Sequence, residues 1–176
     1  LKDLTKVGNE KVEIRGFHSY AVLSMLAIAA FTLMTNIDVI LVKHYLGPEV
    51  TGHYSAISVL GKIAFIAPGG IAVALFPKTS ELYEANSAHR PVLLKAILLT
   101  MLLAGGIVII YWLFPQFVTN FLFGGKYSLV SPYLFKYSGA MFLFAISFLL
   151  MNYFLSLNQT KIAYPLVVTI LAQLGL

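Results

Sequence analysis

The sequence predicts an all-α protein, a polytopic bundle of transmembrane helices, on three observations. Hydrophobic residues make up 59% of the 176 residues and charged residues only 11%, which is more apolar surface than a soluble domain of this size can bury. The apolar residues form continuous runs of about the 20 residues that a helix needs to cross the hydrocarbon core of a bilayer. Because these runs do not alternate between polar and apolar residues, the strands of a membrane β-barrel are disfavoured.

About five spans follow from these runs. In chain order they lie near 18–45, 53–76, 92–114, 131–157 and 161–176. Helix-breaking residues separate them, namely Gly47-Pro48, Pro77, Pro91, Pro115 and Gly124-Gly125. The expected organisation is a polar connecting segment, 1–16, followed by a transmembrane helical domain, 17–176. Since the chain starts with Leu1 in a polar stretch and ends inside an apolar run, we expect it to be a fragment of a larger protein.

The basic residues predict the orientation in the membrane. Eight lie on one side of the predicted spans, namely Lys2, Lys6, Lys11, Arg15, Lys78, Arg90, Lys95 and Lys161, and three on the other, namely Lys43, Lys126 and Lys136. The positive-inside rule therefore predicts a multi-pass protein of the plasma or inner membrane, with 1–16 and the 77–91 loop in the cytoplasm. The net charge of +5 is then explained by loops that face anionic lipids, so nucleic acid is not an expected partner.

Residues suited to catalysis or metal binding are sparse. The chain has no cysteine, which excludes disulfides and thiolate metal sites. Asp38 is the only acidic residue within a predicted span, and the four histidines are scattered without the spacing of a metal site or a nucleophile. We therefore expect no enzyme activity, no catalytic residue, no metal and no cofactor.

Two ionisable residues, Asp38 and Lys62, fall inside predicted spans. An ionisable residue at the centre of a membrane helix raises the free energy of membrane insertion by about 2.5 to 3.5 kcal/mol, so such groups usually face a cavity or a partner. At about 1.5 Å per residue, they lie ~12 Å and ~15 Å from the outer ends of neighbouring antiparallel spans. Two interpretations are open: Lys62 lines a polar cavity and attracts an anionic substrate group while Asp38 tunes it, or the two form a structural ion pair.

Five further residues are weaker candidates. Asn36 lies beside Asp38, where it can line the cavity or hydrogen-bond to another helix. Lys136, near the outer mouth of the fourth span, can line a vestibule or extend to the head groups. Within the second span, a proline and two glycines permit a bend, which makes Pro68, Gly69 and Gly70 hinge candidates.

Residues 36–83 (NIDVILVKHYLGPEVTGHYSAISVLGKIAFIAPGGIAVALFPKTSELY), with LFGGKY at 122–127, resemble the polysaccharide exporters, the oligosaccharide flippases of the MATE-like multidrug/oligosaccharidyl-lipid/polysaccharide (MOP) exporter superfamily. The matching elements are Asn36, Asp38, Leu46-Gly47, Gly52, Tyr54 and Phe76-Pro77. The resemblance implies that these spans belong to the second bundle of a two-bundle transporter with roughly 12 to 14 helices, which works by alternating access.

The resemblance also implies a function, translocation of a lipid-linked oligosaccharide, a polysaccharide precursor, across the cytoplasmic membrane. Cationic cavity residues would accept the pyrophosphate of a polyprenyl-linked glycan, with Lys62 the first candidate and Lys136 the second. The alternative is a cation-coupled multidrug antiporter of the same superfamily, in which Asp38 would bind H⁺ or Na⁺. A membrane scaffold or a membrane-embedded glycosyltransferase is a third hypothesis, but the loops lack the clustered acidic residues that such an enzyme needs.

Overall fold

The computed structural model describes residues 14–124 and 127–159, together with the isolated positions 162, 165, 166, 168, 169 and 172. These residues form helices and short connections without any strand, so the predicted all-α class is confirmed. The α-helices are, in chain order, α1 (Ile14–Met34), α2 (Ile37–Tyr45), α3 (Pro48–Gly61), α4 (Ile63–Ile66), α5 (Gly69–Glu84), α6 (Arg90–Leu113), α7 (Pro115–Phe123) and α8 (Ser131–Ser156). A 3₁₀ turn, Ser128–Val130, leads into α8.

Three helical stretches of the described chain are long and apolar enough to cross a membrane, namely Pro48–Glu84, Arg90–Leu113 and Ser131–Ser156. A fourth span results if the pair Tyr20–Met34 and Ile37–Tyr45, bent by 43° at its break, crosses as one. The spans predicted at 92–114 and 131–157 correspond to α6 and α8. The predicted fifth span, 161–176, lies largely outside the described residues.

Polar side chains break the predicted first span into α1 and α2. The Thr35 hydroxyl lies 3.2 Å from the carbonyl of Phe31 and 3.0 Å from that of Thr32. The Asn36 side-chain amide donates to the Thr32 carbonyl at 2.8 Å, and the Asn36 backbone N–H donates to Leu33, three residues back. Since side chains occupy carbonyls that the next helical turn would use, the helix ends and restarts at Ile37.

The second span is longer than predicted, because the helix continues through Pro77. The sequence predicted a span at 53–76 and a loop at 77–91, whereas the helix itself continues in α5 to Glu84 and residues 85–89 connect it to α6. A proline inside a helix removes one backbone hydrogen bond, but neighbouring helices and hydroxyl side chains compensate for this loss in membrane proteins.

Thr79, two residues after the proline, holds this part of α5 against a second helix. Its side chain is fully buried, and its hydroxyl lies 2.8 Å from the carbonyl of Leu75 and 2.5 Å from the hydroxyl of Ser156. Because Ser156 is at the end of α8, this contact fixes the extended end of α5 to a second helix.

Two interruptions divide the 37-residue stretch Pro48–Glu84. The first is at Lys62, between α3 and α4, and the second is at Ala67–Pro68, between α4 and α5. At the second, Pro68 has no N–H to give, and the N–H of Ile71 donates at 2.9 Å to the Pro68 carbonyl, three residues back. The predicted hinge residues therefore lie at a real break in the helix.

Helix α8 is the centre of the bundle. It packs against α3, α4, α5, α6 and α7, and its side chains contribute to each of three buried apolar clusters. Helix α1 joins it through aromatic rings: Phe31 lies 5.9 Å from Phe65, 5.8 Å from Phe144 and 5.2 Å from Phe148, measured between ring centroids. Most of the other helices therefore pack directly on α8.

Helix α6 shows how little of this apolar surface is buried within the described chain. Leu94, Leu98 and Leu102, which are spaced four residues apart along one face, are 66%, 60% and 64% exposed. In water such a face would drive aggregation, whereas lipid acyl chains solvate it at no cost. An exposed apolar face of this kind is typical of a helix that crosses a membrane.

The contact between Thr79 and Ser156 gives a stability prediction. Ser156→Ala removes the hydroxyl that ties α5 to α8, and we expect it to destabilise the protein by about 1 kcal/mol, the usual contribution of a hydroxyl bond between membrane helices. The measurement is the thermal unfolding midpoint in detergent. Ser147→Ala is the matched control on the same helix, because the Ser147 hydroxyl is exposed and bonds only to its own helix at Leu143. An equal effect of the two changes would contradict the assignment.

Candidate functional site

Two helix breaks meet at one hydrogen bond. Asn36 lies at the break between α1 and α2, and Lys62 lies at the break between α3 and α4. The Lys62 ammonium donates to the side-chain carbonyl of Asn36 at 3.1 Å. Interrupted membrane helices are a recurrent feature of transporter binding sites, because a break brings polar groups to a depth where continuous helices present only apolar ones.

The carboxylate of Asp38 lies beside this bond and joins three helices. Its Oδ2 atom accepts a hydrogen bond from the Tyr54 hydroxyl of α3 at 2.8 Å and from the Tyr137 hydroxyl of α8 at 2.6 Å. The two rings meet edge to face, with centroids 5.9 Å apart. Hydrogen bonds to an ionised acceptor are among the stronger ones, so this carboxylate fixes the junction of α2, α3 and α8.

A serine completes the network. The Ser58 hydroxyl lies 2.9 Å from the Tyr137 hydroxyl. Because Tyr137 gives its only hydroxyl proton to Asp38, Ser58 must be the donor in this contact. The chain of donors therefore runs from Ser58 through Tyr137 to Asp38, and each hydroxyl is polarised toward the negative charge.

The ion pair between Lys62 and Asp38 is loose. The Lys62 Nζ atom lies 3.8 Å from Oδ1 of Asp38, and the two side chains are 16% and 22% exposed. That distance is beyond a hydrogen bond, and Asp38 Oδ1 is a buried atom with no hydrogen-bond partner among the described residues. The two charges offset one another at a depth where either alone would be costly, yet they do not lock together.

Close packing beside the pair depends on Gly61. A Cβ atom built on Gly61 would collide with the Cδ1 atom of the Tyr137 ring and lie 3.0 Å from its Cε1 atom. The absent side chain thus leaves the space that lets the Tyr137 ring cross α3 and reach Asp38.

The structure brings together three of the predicted site residues, Asn36, Asp38 and Lys62. Lys136 is not part of this cluster: its side chain is exposed, and its Nζ atom lies 5.8 Å from the centroid of the Tyr133 ring. Its neighbour Tyr137 does reach Asp38, because consecutive residues of a helix point in different directions.

The hinge candidates lie about 9 Å further along the helix than Lys62, at 1.5 Å per residue. Pro68 is fully buried, whereas a Cβ atom on Gly69 or Gly70 would meet no atom of the described chain within 4 Å. The two glycines are therefore not required for close helix packing within the part of the chain that the structure describes.

Sequence reasoning did not identify Tyr54 and Tyr137 as partners of Asp38. A signal for the first exists, since Tyr54, Ser58 and Lys62 recur every four residues and so lie on one face of a helix. For Tyr137 there is none, because it follows Asp38 by 99 residues and its position depends on how α8 packs.

A second concave feature lies far from this cluster, at the other end of α5. A cavity of about 530 Å³ is lined by side chains of α1, α5 and α8, including Tyr20, Ser80 and Glu84. Ser80 is some 27 Å from Lys62 along the helix, at about 1.5 Å per residue, so the two features are separate. Among the described residues, no three His, Asp or Glu side chains come together as a metal site would require.

Comparisons of this chain with known protein families, with curated proteins and with solved structures found no match.

The close approach at Gly61 predicts a position-specific effect of alanine. Gly61→Ala should destabilise the protein by about 1 to 3 kcal/mol, the usual effect of overpacking, because the Tyr137 ring has to move away from Asp38. Gly52→Ala on the same helix is the control, since a Cβ atom there meets nothing within 4 Å, and it should cause no loss. Thermal unfolding of both variants in detergent measures the difference, and a Gly61→Ala protein as stable as the Gly52→Ala protein would refute the packing.

The Asp38 network predicts energetic coupling between two helices. Tyr137→Phe removes a hydrogen bond to a charged group and should destabilise the protein by about 1.5 to 3 kcal/mol. In an Asp38→Asn background the same change should lower the free energy of unfolding by at least about 1 kcal/mol less, because the effects of substitutions at residues in direct contact are not additive. Unfolding of the wild type, both single variants and the double variant gives the coupling energy by a double-mutant cycle. Tyr133→Phe, at an exposed ring one turn earlier on α8, is the control, and its effect on stability should add to that of Asp38→Asn. If the effect of Tyr137→Phe also adds to that of Asp38→Asn, the network is ruled out.

Proposed function

We propose that this chain is part of a membrane transporter that translocates a lipid-linked oligosaccharide across the cytoplasmic membrane by alternating access, and that Lys62 binds the anionic group of that substrate. One observation carries the proposal: a lysine at a helix break is hydrogen-bonded to an asparagine at a second break, within a bundle of largely apolar helices. The resemblance of residues 36–83 to polysaccharide exporters supports the same conclusion.

The hydrogen-bonding capacity of Lys62 supports an anion-binding role. An ammonium group has three donors, and among the described residues only Asn36 accepts a hydrogen bond from it. Two donors remain for a ligand oxygen. A pyrophosphate group offers several charged oxygens, and a charge-assisted bond of this kind is about twice as strong as a neutral one.

The looseness of the ion pair supports reversible binding. An arriving anion has to compete with Asp38 for the lysine, but the 3.8 Å separation means that no close hydrogen bond has to break. Oδ2 of Asp38 accepts its two tyrosine hydrogen bonds independently of the lysine, so the carboxylate stays hydrogen-bonded when the lysine moves. The cluster can therefore release the ammonium to a ligand and recover it afterwards.

The membrane orientation is part of the proposal. The chain has helices long and apolar enough to cross a membrane, and the excess of lysine and arginine on one side supports a cytoplasmic location for 1–16 and for the 85–89 connection. The partners that follow are the lipids of the bilayer and a polyprenyl-pyrophosphate-linked glycan.

A cation-coupled multidrug antiporter is the second candidate, and one observation favours it. Asp38 Oδ1 is buried and has no hydrogen-bond partner among the described residues, so it can take up a proton or contribute to binding a sodium ion. That function requires the carboxylate and not the lysine. Asp38→Asn would then abolish efflux of a cationic drug, and Lys62→Ala would leave it unchanged.

Transport in proteoliposomes tests the proposal. The full-length protein is reconstituted with a polyprenyl-pyrophosphate oligosaccharide, and the rate at which the glycan becomes accessible on the opposite side of the bilayer is measured. We expect Lys62→Ala to slow translocation roughly 10- to 100-fold, since losing a hydrogen bond to a charged group costs about 1.5 to 3 kcal/mol. Lys136→Ala, which removes an exposed lysine outside the cluster, should transport at close to the wild-type rate.

The outcomes separate the candidates. A slow but folded Lys62→Ala protein beside an active Lys136→Ala protein supports the oligosaccharide transporter. Equal slowing by both changes would show a general effect of positive charge and contradict a specific role of Lys62. If the wild-type protein moves no glycan but exports a cationic drug when an imposed proton or sodium gradient drives it, the antiporter is the correct function.

A further inference from the structure

Helix α7 is a short helix between two spans. It lies between α6 and α8, at the end of the bundle opposite the 85–89 connection, because α6 runs about 36 Å from that connection to α7 at 1.5 Å per residue. Its nine residues extend only about 13 Å, less than half of the ~30 Å hydrocarbon core, so it cannot cross the membrane. It therefore belongs to the loop region at one membrane surface.

Specific contacts hold α7 against the bundle. The Thr119 hydroxyl lies 2.6 Å from the hydroxyl of Ser131 at the start of α8, and both side chains are buried. Val118 and Phe123 pack against the apolar cluster that contains Leu60. The rotation of α7 about its own axis is fixed by these contacts, so its remaining faces have defined directions.

The outward surface of α7 has an apolar part and a polar part, and Leu122, which is 50% exposed, adds to the apolar part. Its aromatic edge consists of Phe117 and Phe121, which are 68% and 77% exposed and stack with parallel rings 5.9 Å apart. Its amide flank consists of Gln116 and Asn120, which are also exposed. At 3.6 residues per turn, the aromatic edge and the amide flank point roughly 100° apart. The two can therefore face different surroundings.

We infer that α7 is an in-plane membrane helix whose aromatic edge inserts between the lipid head groups and the upper acyl chains, while its amide flank faces water. The aromatic edge continues an apolar surface at the end of α6, where Trp112 and Leu113 are 63% and 55% exposed. Aromatic rings at this depth are typical of the membrane interface. A helix with one apolar and one polar side is the form that interfacial helices take.

A position at the lipid–water boundary accounts for both sides of α7. Two stacked phenylalanines left in water would be an unfavourable apolar patch, and two amides placed in hydrocarbon would lose their hydrogen bonds. A helix that lies at the boundary satisfies both requirements at once. By this inference α7 fixes the depth of the α6–α8 pair in the membrane, since Thr119 and Ser131 bind it firmly to α8.

Spin-label accessibility tests the inference in the full-length protein reconstituted in phosphatidylcholine vesicles. This chain contains no cysteine, and any cysteine elsewhere in the full-length protein is first replaced by serine. Single nitroxide labels are then introduced at Phe117→Cys and Phe121→Cys, and at Gln116→Cys and Asn120→Cys as controls on the same helix. Collision rates are measured with oxygen, which concentrates in lipid, and with a water-soluble nickel chelate. We expect the ratio of oxygen to nickel collisions to exceed one at 117 and 121 and to fall below one at 116 and 120.

Each other pattern overturns the inference. Dominant nickel collisions at 117 and 121 would show that the aromatic edge faces water. Low collision rates with both reagents at 117 and 121 would show that another part of the protein or a second copy covers it.

A second measurement covers the case in which a cysteine variant fails to fold. Phe121→Trp and Asn120→Trp are compared in a Trp112→Phe background, in vesicles that contain lipids brominated on the upper acyl chain. Fluorescence should be quenched for Phe121→Trp and largely unchanged for Asn120→Trp. Equal quenching at both positions would contradict the divided surface.

Discussion

The arrangement of the bundle depends on one negative charge, the carboxylate of Asp38. It is on α2, yet its two closest hydrogen-bond donors are the hydroxyls of Tyr54 on α3 and Tyr137 on α8. A carboxylate at this depth requires donors, and only a particular position of α8 supplies the second one. Gly61 leaves room for the Tyr137 ring in that position of α8, and Ser58 donates a hydrogen bond to the Tyr137 hydroxyl there. Since α8 contacts five of the other helices, a local electrostatic requirement influences the whole packing.

The same physical chemistry explains why the helices are interrupted where they are. Hydroxyl and amide side chains near Asn36 occupy backbone carbonyls, and this ends α1. On the facing helix, the Tyr111 hydroxyl of α6 donates to the Leu60 carbonyl at 3.0 Å, two residues before the break at Lys62. At both positions a polar side chain binds a backbone carbonyl beside the break, and the polar side chains at the two breaks meet. The proposed anion site is thus built from interruptions rather than from a pocket added to intact helices.

The sequence predicted those parts of the structure that depend on local composition. Continuous apolar runs between prolines located α6 and α8, and counting residues from the ends of two neighbouring spans placed Asp38 and Lys62 at similar depth. The course of the chain beyond Pro77 could not be predicted, because it depends on a contact of Thr79 with a helix that comes 77 residues later. The role of Tyr137 was missed for the same reason. The rotation of α8 about its axis decides that Tyr137, and not Lys136, faces Asp38, and no periodicity reports that rotation when most faces of a helix are apolar.

The order of the donors along the chain has a consequence for biosynthesis. In the proposed membrane location, α1 to α5 are synthesised and inserted before α8 has been translated, because the chain is made from its N-terminus. Asn36, Asp38, Tyr54 and Lys62 all belong to this early part, which means that each charge already has an opposite charge and one neutral partner within it. Tyr137 arrives last. Helices α1 to α5 can therefore insert with their charges compensated before α8 is made. Helix α8 then adds the Tyr137 hydrogen bond to helices that did not need it for insertion.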